Sequence, residues 1–133
     1  MNYAERGLMM DLRQALLHLH KTLLDWERVS YERIHGRVSS QKLLQAILSD
    51  PQFAWLRPFS ELIVHIDETL EHESPEAPAD VPAIVDRARA LVSPEASTRA
   101  AHAGRYREAL QAHPDAVLAH RAVSLVVKPA KPH

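Results

Sequence analysis

Three polar residues recur at every seventh position of the long apolar segment that begins the chain. Arg13, His20 and Glu27 lie about two helical turns apart, and rows of apolar residues run on both sides of them. A polar row in that position must open into a groove or be paired in the interior, because a buried charge without a partner is costly. Imidazole and carboxylate groups held there can exchange protons, bind a ligand or form an ion pair.

The central segment of the chain supplies polar partners for this row. Arg57 and Asp67 both border the apolar face of that segment, and Ser60 lies on the same side as Asp67. We therefore predict a partly buried polar cluster, and candidate ligand-binding site, formed by His20, Glu27, Arg57 and Asp67. Three interpretations of the cluster are open: a structural ion pair such as Glu27 with Arg57, a ligand-binding pocket, or a catalytic site.

The nine histidines raise the question of a metal site. Glu61, His65, Glu68 and His72 form one row at helical spacing, and these residue types bind zinc or paired metal ions. The row lies opposite the apolar face of its own helix, so we interpret it as a solvated surface and predict no metal site. The chain has no cysteine, which excludes disulfides and thiolate ligands.

Signatures of known catalytic and cofactor sites are missing from the sequence. It contains no Gly-x-Ser-x-Gly, no glycine-rich phosphate loop and no dinucleotide fingerprint, and it has only three glycines with which to build one. We predict no cofactor, and the residues leave open whether the protein is an enzyme.

The charge balance bears on the partners. The formal net charge of −1 gives no field that would attract nucleic acid, and a charge so close to zero gives little protection against self-association. No uncharged apolar stretch approaches the ~20 residues of a membrane span, and the first residues are charged where a signal peptide is apolar. We expect a soluble cytoplasmic protein with neither a membrane nor a nucleic acid as its partner.

Apolar periodicity places the candidate residues on helices. The first helix is predicted from about Leu8 to Ile34, and its apolar face is wide enough to require more than one neighbouring helix. Gly36 is predicted to end it. A short second helix is predicted from about Ser40 to Leu48. Four apolar residues form its predicted buried edge: Leu43, Leu44, Ile47 and Leu48.

Prolines divide the remainder of the chain. Asp50-Pro51 is typical of a helix start, and Pro58 either kinks that helix or begins the next one. The predicted elements beyond the central helix are a proline-rich linker at 74–82, a helix to about Val92, an undecided segment at 93–104, and helices from about Arg105 to Ala112 and from Pro114 through Leu125.

These elements predict an all-α fold. We expect a single-domain bundle of five or six helices over residues 1–127, with a long first helix and a proline-kinked central helix. Residues 128–133 are predicted to form a disordered tail.

One block of the sequence resembles a known group of proteins. The stretch Asp50-Pro-Gln-Phe-Ala-Trp-Leu-Arg-Pro-Phe-Ser-Glu-Leu-Ile-Val-His-Ile-Asp-Glu68 is similar to Asp-Pro-x-Phe-x-Trp-Leu-Arg-Pro-x-Ser-x-Leu-Ile-x-x-Ile-Asp-Glu in small uncharacterised bacterial proteins. The likeness extends over most of residues 12–70. It implies a stand-alone helical domain and carries no activity with it.

Two hypotheses about function follow from these observations. The first is a non-enzymatic interaction or regulatory module that associates with itself as a homodimer, or with another protein. It is based on the broad apolar face of the first helix and the low net charge. The second is a helical bundle that binds a small molecule or a metal ion, with an enzyme as one form of it, and uses the interior polar cluster.

Overall fold

The computed structural model describes residues 1–76, 78–93 and 100–128. Within these ranges the protein is all-α, as predicted, and contains six α-helices and one 3-10 helix. Their bounds are Tyr3–His35 (α1), Ser40–Ser49 (α2), Pro51–Leu56 (the 3-10 helix), Arg57–His72 (α3), Val81–Leu91 (α4), Ala100–Ala112 (α5) and Pro114–Val126 (α6).

The first helix begins five residues earlier than predicted because its start is fixed by a capping box. The Asn2 side chain accepts a hydrogen bond of 2.7 Å from the backbone N–H of Glu5, and the Glu5 carboxylate accepts one of 3.1 Å from the backbone N–H of Asn2. The helix ends, as predicted, at Gly36, whose φ of 76° is a left-handed conformation that glycine adopts readily.

The first helix is the centre of the core. Four of its leucines have no exposed surface at all: Leu12, Leu16, Leu19 and Leu23. α6 and α3 are its main neighbours, so the prediction that its face needs more than one helix is confirmed. This face is covered within the protein, so it is not a free surface for self-association, contrary to the expectation from the sequence.

The central segment divides at the prolines. Asp50 caps the 3-10 helix by accepting a 2.9 Å hydrogen bond from the backbone N–H of Gln52, and Pro51 occupies its first position. Pro58 lies in the first turn of α3 and therefore begins a new helix rather than kinking a continuous one. The aromatic rings of Phe53 and Trp55 are buried below this turn.

The second helix differs from the prediction in its packing. Leu44 and Leu48 were expected on its buried edge, but they are 57% and 69% exposed, and Leu43 and Ile47 are half-buried. The physical reason is that α2 packs against the 3-10 helix and barely touches α1. An amphipathic pattern predicts an apolar face, but no element in the described part of the chain covers Leu44 and Leu48.

The second half of the chain follows the prediction closely where it is described. The Asp80 side chain caps α4 by accepting a 3.1 Å hydrogen bond from the backbone N–H of Ala83. Part of the undecided segment is helical, since α5 begins at Ala100, whereas residues 94–99 lie outside the described ranges. Residues 129–133 of the predicted tail also lie outside them.

No helix within the described ranges combines the length and the apolar character that crossing a bilayer requires.

Candidate functional site

The structure brings two of the four candidate residues together and places the other two elsewhere. His20 and Arg57 line one cleft. Glu27 belongs to a separate network around Arg105, and Asp67 pairs with Arg13. The expected pair of Glu27 with Arg57 is not formed, because the guanidinium of Arg105 occupies the carboxylate instead.

The cleft lies where α2 stands away from α1, above the turn between the 3-10 helix and α3. Its volume is about 240 Å³, and one side is open to solvent. Apolar side chains form its walls: Leu24, Ile47, Leu48, Phe53 and Leu56. Polar side chains lie at one end: His20, Arg57, Ser60 and Glu61. We refer to this depression as the α2 cleft.

The polar end of the α2 cleft has one cation, Arg57, one carboxylate, Glu61, and the ring of His20; Glu61 lies 4.0 Å from the guanidinium of Arg87. Burial lowers the pKa of His20, so its imidazole is uncharged at neutral pH. Arg57 is exposed and donates one hydrogen bond of 2.9 Å to the backbone carbonyl of Leu48. Within the described ranges its guanidinium has no carboxylate partner. The remaining N–H groups of Arg57 are therefore suited to an external acceptor.

The one hydroxyl of the cleft is not arranged as a nucleophile. Ser60 donates its hydrogen bond, at 3.1 Å, to the backbone carbonyl of Arg57 rather than to the ring of His20. A serine nucleophile requires a base within hydrogen-bond reach. In the described part of the chain, Ser60 therefore lacks the neighbouring base that a serine nucleophile requires.

Apolar surface continues from the cleft onto the outside of α2. Leu44 and Leu48 lie one turn apart on this short helix, and more than half of each side chain is exposed. Leu48 also lines the α2 cleft, so the inner wall and the outer leucines form a continuous apolar surface. We refer to Leu44 and Leu48 as the lip of the cleft.

Glu27 is the centre of a buried network. Its side chain is 1% exposed and accepts hydrogen bonds of 2.9 Å from the indole of Trp55 and of 2.9 Å from Nε of Arg105. A second bond from Arg105 completes a two-pronged pair. The guanidinium also lies 4.2 Å from the ring centre of Trp26, a cation–π contact. The network joins α1, the 3-10 helix and α5.

Arg105 is the residue that the sequence prediction missed. Its hydrogen bond to Glu27 raises its pKa further above the ordinary value for arginine, and its other nitrogen bonds Glu108 one turn later. The sequence does hold a signal, because Arg105 begins a segment predicted to be helical, adjoins Tyr106 and follows His102 by three positions. The criterion that identified Arg57 and Asp67, a charged residue at the border of an apolar face, applies here too, and the structure shows that Tyr106 and His102 are buried.

His102 is a second buried polar residue that the prediction missed. It is 2% exposed, and its Nδ1 and Nε2 lie 2.9 Å and 3.0 Å from the backbone carbonyls of Trp55 and Leu91. Phe59 and Tyr106 place their rings against it. His102 thus connects α5 with the 3-10 helix and with the end of α4.

Each member of the polar row of α1 is either paired or opens into a groove. Arg13 pairs with Asp67 across α1 and α3, with side chains that are 38% and 40% exposed. His20 opens into the α2 cleft, and Glu27 is paired in the interior. The three residues of this row therefore have three different environments: a half-exposed ion pair, a cleft and a buried network.

The glutamate and histidine row of α3 lies on the surface. Glu61, His65, Glu68 and His72 are all exposed, as predicted. In the ranges that the structure describes, no three histidine, aspartate or glutamate side chains are placed so that they could hold a metal ion.

Comparison with known proteins gives no match: no family model, no curated protein and no solved structure corresponds to this chain. The likeness of the block from Asp50 to Glu68 to small bacterial proteins therefore stays a prediction. A functional interpretation has to come from the geometry of the molecule.

Proposed function

We propose that this protein is a non-enzymatic interaction module and that it binds a protein partner through the α2 cleft. The observation that carries the proposal is the lip of the cleft, where Leu44 and Leu48 are 57% and 69% exposed beside an open apolar depression. Contiguous apolar surface of this kind marks interaction sites on soluble proteins.

The size of the cleft favours a protein partner over a small ligand. Its volume of about 240 Å³ lies below the ~300–1,000 Å³ of small-molecule sites. A cavity of ~150 Å³ already holds a benzene ring, so the cleft has room for one large apolar side chain. A ligand confined to the cleft would leave Leu44 uncovered, whereas a partner helix or loop covers the cleft and the lip together.

The first partner to consider is a second copy of the chain. The formal net charge of −1 provides little electrostatic repulsion between copies. Because the apolar face of α1 is covered within the protein, self-association has to use other surfaces, and the lip is one of them. A contact limited to the α2 cleft and its lip buries less surface than the standard interface of about 1,600 Å², so we expect the association to be weak.

Sedimentation velocity over a range of protein concentrations tests this proposal. The test variant carries Leu44→Gln and Leu48→Gln, which remove the apolar lip without adding charge. The matched control is Val29→Gln, at a residue that is 52% exposed and lies on the side of α1 opposite His20. We expect wild type and control to associate as concentration rises and the lip variant to stay monomeric. Association of the lip variant equal to that of wild type would contradict the proposal.

A second candidate function is the binding of a small amphipathic acid in the same cleft. It is favoured by the lining of the cleft, which combines apolar walls with the neutral ring of His20 and the guanidinium of Arg57, while its carboxylate, Glu61, lies 4.0 Å from Arg87. Hexanoate is a suitable probe, followed by amide chemical shifts. This alternative predicts saturable shifts around His20 and Leu24 that Arg57→Gln removes, and the absence of shifts at millimolar hexanoate would exclude it.

A further inference from the structure

The outer face of α6 is a second apolar surface that no element within residues 1–76, 78–93 and 100–128 covers. The inner face of this helix buries Ala116, Ala119 and Val123 against the core. On the opposite side, Leu118 and Leu125 are 66% and 61% exposed, two helical turns apart. They form a stripe that an amphipathic helix ordinarily turns towards a groove.

An unpaired carboxylate accompanies this stripe. Asp115 is exposed in the first turn of α6, three positions before Leu118. Within the described ranges it forms no ion pair. The α2 cleft offers apolar walls and the guanidinium of Arg57, which has no carboxylate partner within the described ranges. The one carboxylate of the lining, Glu61, lies 4.0 Å from Arg87, so Arg57 is the charge left for an incoming acid. Matched apolar and charged groups on two surfaces favour one docking register over others.

We infer that the partner bound in the α2 cleft is the outer face of α6 from a second copy of this chain. Leu118 of that copy enters the cleft against Leu24 and Phe53, and its Asp115 pairs with Arg57 at the polar end. The inference rests on the proposed function, since it names the occupant of the same cleft.

Two different surfaces of each chain meet in this contact. In a pair joined by one such heterologous contact, the cleft of one chain and the α6 face of the other stay unused. Both are used only if each chain places its α6 face in the cleft of the other, which closes the dimer. The two chains of a singly joined pair therefore have different roles, one supplying the cleft and the other the α6 face, unlike in a contact between two identical faces.

A mixing experiment tests the inference. The lip variant (Leu44→Gln, Leu48→Gln) keeps its α6 face, and a stripe variant (Leu118→Gln, Leu125→Gln) keeps its cleft. All four positions are exposed, so both variants should fold, which circular dichroism checks. We expect each variant alone to sediment as a monomer at concentrations where wild type associates. An equimolar mixture should form a one-to-one complex, because it restores one intact cleft and one intact stripe.

The outcomes separate the inference from the proposed function. If the stripe variant associates like wild type while the lip variant does not, α6 is not the occupant and the inference is overturned, but the cleft remains the interaction surface. If both variants are monomeric and their mixture does not associate, the inference is also overturned. If wild type itself stays monomeric at millimolar concentration, the inference and self-association fail together.

A charge exchange tests the ionic part of the contact. Arg57→Glu and Asp115→Arg should each raise the dissociation constant of self-association by about tenfold or more, because each places like charges opposite one another. The double variant restores opposite charges and should return to within about threefold of wild type. A double variant as weak as the two single variants would remove the Arg57–Asp115 pair from the inference.

Discussion

Glu27 and Asp67 are both carboxylates paired with an arginine, but their surroundings differ. The Glu27 side chain is 1% exposed and the Asp67 side chain 40% exposed. Removing one member of a buried pair leaves an uncompensated charge, whereas an exposed pair contributes little because water competes for both groups. We expect Glu27→Ala to lower the free energy of unfolding by about 3–5 kcal/mol. The matched change Asp67→Ala should cost about 0–1 kcal/mol. Urea unfolding of both variants checks this, and equal losses would contradict it.

His20 should make stability depend on pH in one direction. Burial lowers the pKa of His20 in the folded protein below the ordinary histidine value of about 6.5. At pH values between the two pKa values, the unfolded chain therefore binds a proton at His20 more readily than the folded chain does. Stability contributed by the neutral ring is therefore complete above about pH 6.5 and is lost as pH falls towards the folded pKa. Urea unfolding at several pH values should show a smaller loss on acidification in His20→Gln than in wild type. The exposed His18→Gln serves as the control. An unchanged slope in His20→Gln would contradict this expectation.

The limits of sequence interpretation at the residue scale are clear in the polar row of α1. Helical spacing placed Arg13, His20 and Glu27 between two apolar rows, and in the structure each is paired or lines a cleft. Their partners were not predictable, because Glu27 meets Arg105 across 78 positions of the chain. Periodicity reports which face a residue occupies on its own helix. It contains no information on which other helix arrives there.

At the scale of elements, three helix starts were predictable, whereas the capping box at Asn2 was missed and α1 begins five residues before its predicted start. Ser39, Asp50 and Asp80 each cap the helix that follows them, and such caps depend only on residues within one turn. The burial of α2 was predicted wrongly for the opposite reason. Whether Leu44 and Leu48 are covered depends on the distance between α2 and α1, which is set by the packing of the 3-10 helix.

The glycines at helix ends and within helices should respond oppositely to alanine. Gly36 has φ 76° and ψ 178°, a region that residues with a side chain rarely enter, so Gly36→Ala should cost about 1–3 kcal/mol. Gly7 lies inside α1 with open space around its Cα, so Gly7→Ala should stabilise by about 0.5–1 kcal/mol. Thermal unfolding of the two variants measures both effects. A stabilising Gly36→Ala would show that the end of α1 is not held in this conformation.

At the scale of the whole molecule, association should raise thermal stability. A partner that binds only the folded chain shifts the unfolding equilibrium by mass action, so the melting temperature of wild type should increase with protein concentration. The lip variant at Leu44 and Leu48 should melt at the same temperature at every concentration. Scanning calorimetry over a hundredfold range of concentration makes the comparison. A wild-type melting temperature independent of concentration would argue against self-association.

The fold of the molecule was more predictable than its surface. An abundance of leucine and alanine, few glycines and regular apolar spacing identify a helical bundle, because these signals add over many residues. The α2 cleft arises from a missing contact between two helices, and no single residue encodes a missing contact. The lining of the cleft includes His20 and Arg57 from separate elements; both belong to the predicted cluster, but Glu27 and Asp67 lie elsewhere and the expected pair of Glu27 with Arg57 is not formed.

The Glu27 network also determines what the intrinsic tryptophan fluorescence of this protein measures. Both tryptophans of the chain belong to it, with ring centres 6.4 Å apart in an edge-to-face arrangement. Trp26 lies under the guanidinium of Arg105, and Trp55 donates to Glu27. Intrinsic fluorescence is therefore a local probe of α5 closing onto α1. If α5 separates from α1 before the rest of the bundle unfolds, tryptophan emission will change at a lower temperature than the helical circular dichroism signal. The temperature interval between the two transitions will then measure how independently α5 unfolds.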